Sequence, residues 1–177
     1  APPLPRATLA DMSAENGVPA DFPFSVLART MRRVLSDYDR RILSRAPNAG
    51  CIELREVLAE YLARSRGLSV APEQIIIGAG TEQLYNMLVQ LLGRDKRYAV
   101  EDPGYGKIAR IYRSSRAAVS FVPLDESGLS VSALRDSHAD VVHISPSHHY
   151  PTGLVMPIAR RQQLLSWARE APGRCIL

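Results

Sequence analysis

Cysteine is nearly absent from this 177-residue chain: only Cys51 and Cys175 occur, far apart and outside any CxxC or Cys/His spacing. That excludes a disulfide framework or a structural zinc site, both of which need clustered ligands. It suits a reducing cytoplasm. Lysine is almost as scarce, with Lys96 and Lys107 set against many scattered arginines. The net charge of +4 and the pI near 9.3 therefore do not gather into the basic run that would grip nucleic acid. Long hydrophobic runs are missing too, and no stretch nears the roughly 20 apolar residues of a membrane span. The opening Ala1-Pro-Pro-Leu-Pro-Arg6 has no apolar core of signal-peptide length. No membrane partner is expected, and the expected location is cytoplasmic.

What is present is enough apolar material for a core: 46% of residues are hydrophobic and 23% charged. A chain of this length fits one domain or a substantial piece of a larger one. The texture divides it in three. Residues 1–22 are Pro-rich and read as an extended arm. Residues 23–70 carry two helical patterns: Phe24, Val26, Leu27, Met31, Val34 and Leu35 in the first, then Leu54, Val57, Leu58, Tyr61 and Leu62 over 52–66, with Gly67 placed to end the second. A polar connection over 37–48 and an Asn48-Ala49-Gly50 turn separate them. From 71 to 177, short β-branched runs alternate with helical patterns, the mark of βαβ units in a parallel sheet. Strands are expected at Ile75-Ile76-Ile77, 98–100, 119–122, 141–144 and 175–177, with helices near 81–92, 106–114, 131–137 and 157–170.

Three segments at strand ends carry chemistry. Gly78-Ala79-Gly80-Thr81-Glu82-Gln83 joins the first run to a helix, where glycine lets the chain turn sharply and the free N–H groups of the next turn face an anion. The same segment serves equally as a plain tight turn. It also opens a dinucleotide fingerprint, because Glu101 and Asp102 follow about twenty residues later; Gln83 stands where that fingerprint wants its third glycine. The second segment is Glu101-Asp102-Pro103-Gly104-Tyr105-Gly106, whose Tyr105 is placed either to stack on a flat ring or to pack against the protein. The third is Ser145-Pro146-Ser147-His148-His149-Tyr150-Pro151-Thr152-Gly153, an irregular loop in which either X-Pro bond is a candidate for cis. His143, His148 and His149 have no metal-site spacing and no nearby carboxylate.

Taken in order, these segments resemble the fold-type-I pyridoxal-phosphate enzymes, and most closely the aminotransferase-like domain of MocR regulators in the GntR family. The resemblance runs from about Asn16 to the end and is carried by Leu54-Arg55-Glu56-Val57-Leu58-Ala59-Glu60-Tyr61-Leu62, Arg66-Gly67, Gly80-Thr81-Glu82-Gln83, Glu101-Asp102-Pro103-Gly104-Tyr105, Asp125-Glu126-Ser127-Gly128-Leu129 and residues 145–156 running into Ala159-Arg160-Arg161. It implies an α/β fold: a three-layer α/β/α arrangement with a mostly parallel sheet, the large domain of the aspartate-aminotransferase type, here incomplete.

It also implies pyridoxal 5'-phosphate as cofactor, with Gly80, Thr81 and Glu82 on the phosphate and Tyr105 on the pyridine ring. Tyr150 falls where ordinary aminotransferases place the Asn of Asn-Pro-Thr-Gly, and MocR proteins usually carry an aromatic there; His148 belongs to the same stretch and is a candidate cofactor contact. The Asp for the ring nitrogen, the Schiff-base Lys and the carboxylate-binding Arg lie beyond Leu177 in this fold, so the segment alone is expected to be inactive. The resemblance implies a homodimer, a small amine or amino-acid effector or substrate, and DNA contact only through an upstream winged-helix domain. The alternatives are part of a class I/II aminotransferase and, more remotely, an NAD-dependent oxidoreductase.

Overall fold

The computed structural model describes residues 21–177, so the arm expected over 1–22 lies almost wholly outside the described residues. The chain divides into two compact units at Pro47 and Asn48. The division drawn at 70/71 from the sequence falls inside the second.

In the first unit, helix α1 (Phe24–Tyr38) follows from the apolar spacing noted above, and none of its residues is buried. Asp39, at φ 44°, ends it. The connection read as merely polar contains a short 3-10 helix at Asp39–Leu43.

The second unit opens with helix α2 (Ile52–Arg66). Gly67 ends it in the left-handed region at φ 64°, its N–H bonding Ala63 O while the Leu68 N–H reaches back to Leu62 O; that pairing closes carbonyls the helix leaves open. The buried residue of α2 is not one of the apolar stripe but Arg55. Its guanidinium donates to Gly50 O at 3.2 Å and Pro72 O at 3.0 Å, tying the turn before the helix to the segment after it. Ile75-Ile76-Ile77, expected as a strand, is a correction: Ile75 is extended and Ile77 donates to Ala49 O, but no ladder partner lies beside the run among the described residues. Extended dihedrals without a neighbour's hydrogen bonds do not make a sheet strand.

The remaining elements follow the expected alternation: α3 (Thr81–Leu92), β1 (Arg97–Asp102), α4 (Gly106–Ser114), β2 (Ala118–Asp125), β3 (Gly128–Leu129), α5 (Val131–Asp136), β4 (Val141–His143), α6 (Ile158–Arg169) and β5 (Cys175–Ile176). The sheet order is β3-β2-β1-β4-β5. All pairs are parallel except the β2–β3 hairpin, which the sequence reading missed because two residues are too few to show a period.

Side-chain alternation along the strands builds a layer on each face. Tyr98, Val100 and Val141 pack with Val89 of α3 and with Ile111 and Tyr112 of α4. Ala99 and Val142, one residue out of phase, pack with Leu134 of α5 and with Leu164 and Trp167 of α6. The result is the expected three-layer α/β/α arrangement.

Candidate functional site

Parallel strands joined by helices put all their carboxyl ends on one edge, and the helices that follow begin there. β1 and β4 are parallel neighbours, so the loop carrying Tyr105 and the loop carrying Tyr150 emerge side by side. Their rings meet edge to face, centroids 5.9 Å apart and planes 85° apart. Both rings are more than half exposed, Tyr105 at 52% and Tyr150 at 65%, which leaves their faces open to a ligand. The turn that aims Tyr105 tolerates no larger residue at Gly104, where a Cβ would sit 2.3 Å from the Glu101 carbonyl oxygen. The Asp102–Pro103 and Tyr150–Pro151 bonds are cis.

The third tip is the start of α3. Gly80 holds φ 93° and ψ 169°, a region that essentially only glycine occupies, and a Cβ there would meet open space. Gly80 has no side chain to cap the helix. The first N–H groups of a helix have no internal partner, and among the described residues no protein acceptor takes those of Gly80, Thr81 or Glu82. Gln83, which spoiled the dinucleotide pattern, instead accepts the Ala79 N–H through Oε1. Glu82 lies 3.9 Å from Lys107 on the first turn of α4, so the Gly80 tip and the Tyr105 tip are neighbours. Glu82, Gly106, Lys107 and Arg110 line one open cavity of about 470 Å³. Lys107 and Arg110 thus stand on the first turns of α4, next to the start of α3.

The three histidines part company. His143 is buried and its Nδ1 lies 2.6 Å from the Tyr112 hydroxyl. Burial pushes the Tyr112 phenol upward and pulls His143 down to about 4, so the phenol stays protonated and donates to a neutral ring. His148 is exposed, holds a left-handed φ of 54° and makes no hydrogen bond among the described residues. The engaged histidine of this loop is His149, which the sequence reading passed over as a site residue. Its Nδ1 is 2.8 Å from Thr152 Oγ1 and its Nε2 is 3.2 Å from Glu101 Oε2. The second contact lacks hydrogen-bond alignment, leaving Nε2 without an in-line partner. Glu101 also accepts the Ser145 N–H at 2.9 Å. Its burial raises the carboxyl's pKa, against the lowering effects of the Ser145 amide and His149. Of the two acidic residues in the dinucleotide pattern, Glu101 is thus engaged by the neighbouring loop, while Asp102 is exposed at the end of β1.

His143 carries a pH prediction. Its pKa is lower folded than unfolded, so between about 6.5 and about 4 the unfolded chain binds the extra proton and stability falls as pH falls. A shift of that size corresponds to about 3 kcal/mol. Glu101 acts in the opposite sense, since its raised pKa lets the folded state take up a proton first. His143→Asn, whose side chain can still accept from Tyr112, is expected to flatten the acid limb. Urea midpoints measured across this range for both proteins check it, and parallel pH profiles would contradict it.

A three-layer sandwich with a mostly parallel sheet, a glycine-led helix start and aromatic loops at the strand tips defines a protein of the aspartate-aminotransferase fold. The chain belongs to the aminotransferase class I and II family, whose model matches residues 16–177. It is similar to the HTH-type transcriptional regulator YdeL of Bacillus subtilis, with 36% identity over 84% of this chain and 32% of that protein. It is also similar to the HTH-type pyridoxine biosynthesis transcriptional regulator PdxR of Corynebacterium glutamicum, with 38% identity over 70% of this chain and 27% of PdxR. Among solved structures it resembles LysN, the α-aminoadipate aminotransferase of Thermus thermophilus complexed with N-(5'-phosphopyridoxyl)-L-leucine, at TM-score 0.77 and 25% identity over 91% of this chain and 41% of LysN. The chain thus spans about a third of the length of the regulators it matches. No helix among the described residues is long and apolar enough to cross a membrane.

Proposed function

We propose that this chain is the first part of the aminotransferase-like effector domain of a MocR-type transcriptional regulator, and that it holds pyridoxal 5'-phosphate at the tips of α3, β1 and β4. The reading is supported by the uncapped amides at the start of α3, which the Glu82–Lys107 contact sets beside α4, and by the open Tyr105–Tyr150 pair. Gly80, Thr81 and Glu82 would present backbone N–H groups to the phosphate, helped by the positive end of the α3 dipole. Tyr105 would stack on the ring, and Tyr150 would bring its hydroxyl to the ring's edge. Exposed His148 would close over the bound ring from the same loop. When bound, the cofactor supplies an aldehyde on an electron-withdrawing ring, which reacts with amines; the effector is accordingly a small amine or amino acid.

Residues 23–70 then form the helical segment ahead of the cofactor-binding part, 71–177, and the whole protein is a homodimer. DNA contact belongs to a winged-helix domain upstream, and the likeness to YdeL and PdxR supports that assignment. A class I/II aminotransferase is the other reading, favoured by the likeness to LysN; Tyr150 in place of the Asn of Asn-Pro-Thr-Gly speaks for the regulator.

The test is a titration of the full-length protein with pyridoxal 5'-phosphate and, separately, with pyridoxal, which lacks the phosphate. Preference for the phosphorylated form by at least about a hundredfold, or roughly 3 kcal/mol, is expected from two or more charge-assisted hydrogen bonds. Equal affinities, or no binding of either, would overturn the reading.

A further inference from the structure

Glu101 and His149 are more than nine-tenths buried, whereas Tyr105 and Tyr150 are more than half exposed. Their place in the chain explains the burial. Glu101 is the penultimate residue of β1 and stands four positions before Tyr105; His149 immediately precedes Tyr150. The carboxylate grips the neighbouring loop twice, at its start through the Ser145 N–H and near its apex through His149 Nε2. His149 is in turn held by Thr152 Oγ1, and the loop's own bonds, His149 N–H to Leu154 O and Gly153 N–H to His149 O, fold it around that ring. The loop's other ties, from Arg161 to Pro146 O, Ser147 Oγ and Met156 O and from the Met156 N–H to Pro146 O, hold its two ends and not the apex at His148–Pro151. Beside Glu101 lies a cavity of about 160 Å³ lined by Tyr105, His143 and Ser145 among others.

We infer that the Glu101–His149 contact is a positioning latch that holds Tyr150 edge-on to Tyr105, so that the spacing of the ring slot is set by a buried pair outside the slot. Glu101 and His149 are positioning residues: they act through the loop and the two tyrosines, not on a ligand. An orphaned Glu101 Oε1 in a buried carboxylate is costly to fold around, and a latch gives that cost a purpose that a purely structural carboxylate lacks. The ligand arm of this inference rests on the cofactor reading above; the geometric arm does not.

The experiment uses the full-length protein with selectively labelled tyrosine and three variants. Glu101→Gln keeps an acceptor for the Ser145 N–H and a polar group against His149. Glu101→Leu removes both. His149→Asn keeps the position of Nδ1 near Thr152 and loses the reach to Glu101. In ligand-free protein the ring-to-ring NOE between Tyr105 and Tyr150 should be present in wild type and Glu101→Gln, and lost in Glu101→Leu and His149→Asn. Persistence of the NOE in a folded Glu101→Leu or in His149→Asn overturns the latch, as does its loss in Glu101→Gln; if the Leu variant does not fold, His149→Asn decides alone. Titration with pyridoxal 5'-phosphate should follow the NOE, at least tenfold weaker where it is lost and within about threefold where it is kept. Wild type that does not bind pyridoxal 5'-phosphate would end the cofactor reading while leaving the NOE to judge the latch.

Discussion

Replacing Gly80 with Asp is expected to weaken binding of pyridoxal 5'-phosphate to the full-length protein by about a hundredfold while leaving its weaker binding of pyridoxal nearly unchanged. The new carboxylate would sit at the N-cap of α3, where a side-chain oxygen accepts from the second or third amide of the helix. Those are the amides the phosphate needs, and a fixed negative charge would also repel it. Nothing lies within 4 Å of a Cβ built at Gly80, so the effect would not come from a clash. The residue does adopt a conformation that side chains resist, at φ 93° and ψ 169°. That strain costs about 1–3 kcal/mol, partly offset by the new cap. Gly80→Ala therefore serves as the control, with the strain and without the charge. Paired titrations and urea midpoints separate the two contributions. An Asp variant that still prefers the phosphorylated compound as strongly as wild type would show that the phosphate binds elsewhere.

Trp167→Ala is expected to destabilise the fold by about 3–5 kcal/mol, the usual cost of emptying a fully buried aromatic position. Helix α6 attaches to the sheet through few residues. Of its twelve, only Leu164 and Trp167 are buried, three apart and hence on one face. Trp167 is wholly inaccessible and packs in the layer with Ala99, Val142 and Leu134. Arg174 covers the ring with its guanidinium 4.8 Å from the centroid and donates to the Trp167 carbonyl at 3.0 Å. Against a total stability of about 5–15 kcal/mol for an ordinary domain, the loss brings the variant close to unfolding. Trp167→Phe should cost well under half as much, because it keeps most of the volume and removes an indole N–H that has no acceptor. Denaturant midpoints for the two variants measure both effects. A loss below 1 kcal/mol in the Ala variant would mean that α6 is held by its surface ion pairs.

Those ion pairs are poor candidates for that role. The Arg135–Glu170 and Arg174–Glu170 contacts lie in a partly exposed cluster, where screening and side-chain entropy leave little net stabilisation. Glu170 is held below the usual carboxylate range, chiefly by its bond to Arg135. Arg160 does more for the architecture. It joins Asp125 to the Leu129 carbonyl and so braces the β2–β3 hairpin against α6.

Sequence by itself determined the alternation of elements, the bounds of α3 and α4 and the order of the three loops. Each depends on interactions within a few residues: apolar periodicity, a glycine that alone can turn, a proline that ends a run. It also placed Tyr105 and Tyr150 after strand ends and Gly80 at a helix start, because a residue's place along its own element is local information. Tertiary structure decided the rest. Ile75-Ile76-Ile77 has every local property of a strand and is not one among the described residues, since a strand exists only with a neighbour to share its hydrogen bonds. The apolar stripe of α2 turned out to be less engaged than Arg55, whose partners at Gly50 and Pro72 only the folded chain brings within reach. Of the adjacent histidines 148 and 149, identical in side chain, one is exposed and one is buried against Glu101. The carboxylate that selects between them lies 48 residues away in sequence and becomes a neighbour because β1 and β4 pair in parallel.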